Sequence, residues 1–89
     1  VAKKSGSTDL IKYPNRRLYD PALSQYITLK DVEIRVKNGI PVRVVDRVTR
    51  ANITRSVLLS VVVQMEEEGN IKINEEDVCK IIRQEPISA

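Results

Sequence analysis

Asp20-Pro21-Ala22-Leu23 constrains the fold more than any other stretch of this chain. Asp suits the first position of a type I turn, and Pro at the second already holds the backbone angle that the turn needs. The flanking segments, Arg16 to Asp20 and Gln25 to Thr28, therefore read as the arms of a β-hairpin with a four-residue loop. Pairing Asp20 with Gln25 sets Tyr19 opposite Tyr26, Leu18 opposite Ile27 and Arg17 opposite Thr28. Side chains alternate across a strand, so Leu18 and Ile27 face the core while Arg17, Tyr19, Tyr26 and Thr28 share the opposite face. Strict alternation puts Arg16 on the Leu18 side, unless Pro14-Asn15 twists or bulges the strand.

Leu10 to Tyr13 reads as a short strand stopped by Pro14, which cannot donate to a ladder. Thr28-Leu29-Lys30-Asp31 resembles a capping box and opens a helix with Leu29, Val32 and Val36 on one face. Asn38-Gly39 ends that helix and Pro41 follows as a stop. Val42 to Asp46 is a strand whose partner the sequence does not specify, the first hairpin being one candidate, and Arg47 to Asn52 is a polar turn. Thr54 is the expected N-cap of a helix from Arg55 to about Glu68, closed by Gly69-Asn70.

That helix carries Val57, Leu58, Leu59, Val61, Val62, Val63 and Met65, apolar around most of its circumference. Part of it is expected to meet another subunit, with Leu58, Leu59, Val62 and Met65 as the oligomer interface. The β-branched run Val61 to Val63 leaves a buried strand as the rival local reading. Glu66, Glu67 and Glu68 sit at the negative end of the helix dipole, so this end either frays or meets a partner's cation. Asn74, followed by Glu75, Glu76 and Asp77, caps a last short helix with Val78, Ile81 and Ile82 as its apolar face. Cys79 in that helix is expected to be buried, and Pro86 to end the ordered chain.

The elements add up to an α+β domain: an N-terminal β-hairpin, a helix, a further strand, a long apolar helix and a short C-terminal helix. Residues 1–8 read as a flexible basic arm, 9–69 as the domain, and 70–89 as a short acidic helix and tail. A chain of 89 residues buries little core, which favours oligomerisation, a homodimer or higher. Hydrophobic residues at 42% and charged ones at 30% exclude a disordered chain. One cysteine builds no disulfide framework and no signal-peptide pattern opens the chain, so a cytoplasmic protein is expected. The apolar run 57 to 65 is far short of the roughly 20 residues that span a bilayer, so no membrane partner is expected. With no histidine and no nucleotide-loop, CxxC or GxSxG motif, neither an enzyme nor a bound cofactor or metal is expected.

Charge is unevenly placed. Residues 1–55 hold twelve Lys/Arg against five Asp/Glu, and residues 56–89 three against seven. An anionic partner belongs on the first half. There, Lys12, Tyr13, Arg16, Arg17, Tyr19 and Tyr26 combine charge with aromatic area as nucleic-acid binders do. Arginines fork onto phosphate oxygens or guanine edges, and a two-stranded ribbon fits the major groove of double-stranded DNA. Arg43, Arg47, Arg50 and Arg55 extend the positive surface. The plain alternative is that these tyrosines are half-buried packing residues.

The strings "LIKYPNRRLYDPALSQYITLKDV", "VRVVD" and "NITRSVLL" are similar to the N-terminal DNA-binding domain of the bacterial polyhydroxyalkanoate (PHB) accumulation regulators, over about residues 9 to 66. The resemblance implies a DNA-binding transcriptional repressor of polymer-synthesis and granule-associated genes; family members leave DNA as polymer accumulates, a property not carried over to this chain. This sequence departs from the family in two places. The turn after the VVD strand, Arg47-Val48-Thr49-Arg50-Ala51-Asn52, lacks the usual glycine, and only a short acidic helix follows Gly69. The rival reading is a protein-interaction or oligomerisation module working through the apolar helix 57–65. A third is direct association of that helix with a polyhydroxyalkanoate granule.

Overall fold

The computed structural model describes residues 8–86, so the basic arm and the end of the tail lie largely outside the described residues. Four strands, β1 (Thr8–Lys12), β2 (Leu18–Asp20), β3 (Gln25–Ile27) and β4 (Val42–Asp46), alternate with α1 (Leu29–Lys37), α2 (Thr54–Glu67) and α3 (Glu75–Ile82). The sheet order is β3-β2-β1-β4, with β1–β2 and β2–β3 antiparallel and β1–β4 parallel. The hairpin register is the expected one, Leu18 with Ile27, Tyr19 with Tyr26 and Asp20 with Gln25. The partner of Val42–Asp46 is β1, with Leu10 beside Val44.

Helices α1 and α2 cover one face of the sheet. Leu10, Val32 and Val44 are the most deeply buried side chains, joined by Leu18, Ile27, Val57 and Val61. Among the described residues the other face carries no helix, and Ile11, Tyr19 and Val45 are half-buried there.

The expected strand from Arg16 begins later, at Leu18. Residues 13–17 form a tight turn instead, in which Tyr13 N–H donates to the Arg17 carbonyl (2.9 Å) and Arg16 N–H to that of Tyr13 (2.9 Å). Three loop residues then need a left-handed last position, and Arg16 takes it with φ 69°. So β1, β2 and β3 form a meander and not a strand followed by a separate hairpin.

Asp20 holds the next turn from within. Its Oδ1 accepts the Ala22 N–H (2.9 Å) and the Leu23 N–H (3.3 Å), while Oδ2 lies 2.9 Å from Arg35 Nη1 on α1. At 2% exposure this carboxylate is part of the core, and it ties the hairpin to the helix layer. The α1 capping box forms as expected, with Asp31 N–H donating to Thr28 Oγ1 and Thr28 N–H to Asp31 Oδ2. At the other end Ile40 N–H reaches back to Arg35 and Gly39 N–H to Val36, a Schellman closure that Gly39 permits with φ 77°.

Several expectations are corrected. Val36 is 46% exposed, because the buried stripe of α1 is Leu29, Val32 and Glu33. Glu33 is buried because Lys30 (3.2 Å) and Lys37 (2.8 Å) from the adjacent turns close over it. The 57–65 run is helical, but its apolar face is divided: Val57 and Val61 are buried, Leu58 and Met65 pack on the core, and Leu59 and Val63 are exposed. The N-cap of α2 is Ile53, not Thr54. β4 is the edge strand of the sheet, and residues 51–53 pair back along its outer side: Ile53 N–H donates to the Val44 carbonyl at 2.9 Å, and Val44 N–H donates to Thr54 Oγ1 at 2.8 Å. Glu68 meets a cation of its own chain, Lys30, at 3.2 Å. Helix α3 starts at the Asn74 cap as expected but buries nothing. Val78, Ile81, Ile82 and Cys79 are exposed, because α3 packs on neither the sheet nor the other helices to any substantial extent.

Two stability outcomes follow from the buried acids. Asp20→Ala strands Arg35 and takes the side-chain acceptor from the Ala22 N–H, and should lower unfolding free energy by about 2–3 kcal/mol in urea titrations. Lys37, helped by Lys30, holds the Glu33 carboxyl below its ordinary value of 4.5. A depressed carboxylate stabilises above its unfolded-state value and loses that contribution as pH falls through the folded one. The urea midpoint should therefore drop as pH is lowered below about 4.5, and Glu33→Gln should flatten that drop.

Candidate nucleic-acid interface

The topology brings two turns to one end of the sheet. Because β1 and β4 run parallel, both leave the sheet at the same end, where Arg47 N–H donates to the Lys12 carbonyl at 2.9 Å. Antiparallel β2 begins there, so Lys12, Arg16, Arg17, Arg47 and Arg50 lie at this end of the sheet, and Arg55 follows in the first turn of α2. The Pro21–Ser24 loop points to the opposite end.

The second turn needs no glycine. Asp46 Oδ1 accepts the N–H groups of Val48 (2.8 Å) and Thr49 (2.9 Å), Asp46 N–H donates to Ala51, and Asn52 bridges back to Val45. Thr49 and then Val48 N–H groups, with Lys12 contributing its charge, hold the Asp46 carboxyl below its ordinary value. Asp46, the last residue of β4, is thus committed to its own turn. Arg50 occupies the left-handed position at φ 67°, the counterpart of Arg16 in the first turn. A left-handed non-glycine residue costs about 1–2 kcal/mol, and such strain is commonly kept where the side chain works.

Ion pairing separates two populations of cations. Lys30, Arg35 and Lys37 on α1 are each within 3.2 Å of a carboxylate. Among the described residues, Lys12, Arg16, Arg17, Arg47, Arg50 and Arg55 form no ion pair. An uncompensated basic cluster of this kind attracts polyanions.

The site residues expected from sequence divide around this end. On the bare face, Tyr13, Tyr19 and Tyr26 form a mutual edge-to-face cluster, with centroids 6.0 Å (13–19), 6.0 Å (13–26) and 5.3 Å (19–26) apart. Arg17 lies 4.9 Å from the Tyr26 centroid and Arg47 lies 5.7 Å from that of Tyr13. Guanidinium groups resting on aromatic faces keep their in-plane N–H donors free while losing rotamer freedom. Lys12 and Arg16 lie on the helix side, beside Leu18, Val57 and Ser60, in a cleft at the β3 edge that Arg17 and Tyr26 also line. The tyrosines therefore pack on one another and also hold arginines, which joins the two readings that the sequence left open.

Arg47 entered the sequence reading only as a flanking charge, since its place on Tyr13 depends on the β1–β4 pairing. Of the expected interface residues on α2, Leu58 and Met65 are engaged with the chain's own core, Val62 is half-buried and Leu59 is exposed.

The family described as the PHB/PHA accumulation regulator DNA-binding domain matches residues 10–69. An uncharacterized protein of Allochromatium vinosum is 46% identical over 72 residues, which cover 81% of this chain and 47% of that protein. A Thiocystis violacea protein named for its place in the phbA 5′ region is 43% identical over 72 residues, 81% of this chain and 52% of its own length. The chain thus spans about half the length of these curated relatives. No solved structure matches it. The family match runs from Leu10, the buried leucine of β1, to Gly69, which closes α2, and leaves out α3: the chain belongs to the PHB/PHA accumulation regulator DNA-binding domain family.

Proposed function

We propose that the chain binds double-stranded DNA through the basic end of its sheet, as a transcriptional repressor in polyhydroxyalkanoate accumulation, and that it catalyses nothing. The observation that carries this reading is the distribution of charge: the cations of α1 are neutralised by Glu33, by Glu68 at the end of α2 and by Asp20 of β2, while the two turns and the start of α2 present theirs unpaired. The family supports a regulatory role in polymer accumulation. Repression follows most simply from occupying a promoter, in the cytoplasm where the genes are.

Geometry favours an end-on approach. Four strands spaced about 4.8 Å apart span roughly 15 Å before side chains are added, wider than the major groove of about 12 Å. A sheet face does not lie flat in that groove, whereas its end, with two narrow turns, enters it. Arg16 and Arg50 then lead, Arg17 and Arg47 follow on their tyrosines, and Lys12 and Arg55 take flanking phosphates.

A homodimer fits the exposed apolar residues. Leu59 (57% exposed) and Val63 (54% exposed) lie on the outer side of α2 and leave a surface for a second copy. The same surface favours the second reading, an interaction module or a granule-associated one. Among the described residues no helix is long and apolar enough to cross a membrane.

The two left-handed arginines give a test in which folding and binding move in opposite directions. Arg16→Gly and Arg50→Gly relieve backbone strain and should each raise stability by about 1 kcal/mol in urea titrations. In gel-shift titrations against a duplex selected from a random-sequence pool, each should weaken binding several-fold. Replacing Arg16 and Arg17 together by Ala should also flatten the dependence of log K on log salt by about 2, since each phosphate neutralised contributes roughly 0.9. A folded double variant with unchanged affinity and salt slope would remove this end from the interface. Light scattering tests assembly: Leu59→Glu should convert a dimer to monomer, and a wild-type monomer would contradict the dimer.

A further inference from the structure

On the helix side of the basic end lies a cleft of about 450 Å³, a size in the range of about 300–1,000 Å³ that holds small organic groups. Lys12, Arg16 and Arg17 stand at its rim, and the buried side chains of Leu18, Ile27 and Val57 form its floor. No carboxylate lines it among the described residues. Tyr26, 47% exposed and stacked with Arg17, forms part of its wall.

A backbone phosphate on the outside of a duplex needs only a cationic surface, and it has no use for an apolar hollow. A nucleotide has use for both, since its phosphate is anionic and its base presents two weakly polar faces that stack on apolar and aromatic side chains. Unpaired cations beside an apolar floor therefore match a single nucleotide better than an unbroken double helix. We infer that this cleft seats one nucleotide of the bound DNA turned out of its stack, with its phosphate against Arg16 and Lys12 and its base over Leu18, Ile27 and Val57. This rests on the DNA-binding reading and adds to it the state of the DNA: the complex contains a locally opened base pair. Turning a base out costs a few kcal/mol in paired DNA and least at a mismatch, so the protein discriminates by how easily a step opens as well as by the groups it contacts.

The test uses the whole 89-residue chain and a duplex selected from a random pool, with single mismatches introduced position by position. At one position the mismatch should tighten binding about tenfold, because the unpairing cost is already met. The fluorescent base 2-aminopurine placed there should brighten when protein binds. Ser60 lines the cleft from the exposed side of α2 and bonds only to its own helix. Ser60→Phe, checked for folding by circular dichroism, fills the hollow and should abolish both the mismatch preference and the brightening. Arg17→Lys, a second variant that leaves the hollow open, should retain both in weakened form. Equal affinity at every mismatch position with no brightening anywhere overturns the nucleotide seat while DNA binding stands. A preference that survives Ser60→Phe overturns the placement in this cleft. Failure to select any duplex overturns the DNA-binding reading itself, and the seat with it.

Discussion

The parallel ladder between β1 and β4 is the contact on which the rest of the structure depends. It sets Leu10 beside Val44, two of the most deeply buried side chains, and so establishes the layer onto which α1 and α2 pack. It also decides what the far end of the sheet contains. Two strands that run the same way leave together, so the 13–17 and 46–52 turns emerge side by side, each with an arginine in the left-handed region. An antiparallel pairing of the same strands would send these turns to opposite ends and divide the cationic cluster.

Acids and cations are sorted around that ladder. Asp20 and Glu33 are buried on or beside α1 and consume Arg35, Lys30 and Lys37. Asp46, the acid nearest the basic end, accepts N–H groups of its own turn. Among the described residues the uncompensated cations Lys12, Arg16, Arg17, Arg47 and Arg50 stand at the basic end, with Arg17 and Arg47 supported by tyrosine rings, while Arg43 stands unpaired near the start of β4. Strain at Arg16 and Arg50 is the cost of placing side chains where glycine would be more comfortable. In the proposed interface, stability and binding are in tension at these two positions.

Much of the local structure was legible in the sequence, and most of the long-range structure was not. The Asp20-Pro21 turn with its register, the Thr28–Asp31 box, the Asn74 cap and the glycine closures at Gly39 and Gly69 are all written within a few residues. The pairing of β1 with β4 joins strands separated by a meander and a helix, and valine-rich composition at 42–46 does not name a partner. The burial of Asp20 depends on Arg35, which the fold brings to it from α1, whereas the lysines over Glu33 stand three and four residues away on the same helix. Thr54 looked like a cap because the outer edge of β4, which recruits its hydroxyl, is a property of the finished sheet. Within the candidate site, Arg17, Tyr19 and Tyr26 were placed on one face by alternation, but left-handed arginines have no sequence signal. The apolar positions of α3 show the converse limit, since a periodic pattern states which side would be buried and not whether anything is there to cover it.

Backbone amide chemical-shift mapping during titration with a selected DNA duplex is the most direct test of where this domain meets its partner. Shifts should concentrate in residues 12–17 and 46–56, with smaller changes at Tyr19 and Tyr26, and the Pro21–Ser24 loop at the other end of the sheet should stay still. Shifts confined to Leu59, Val63 and α3, with the two arginine-bearing turns unmoved, would contradict the interface and favour a protein-interaction role for the helical side.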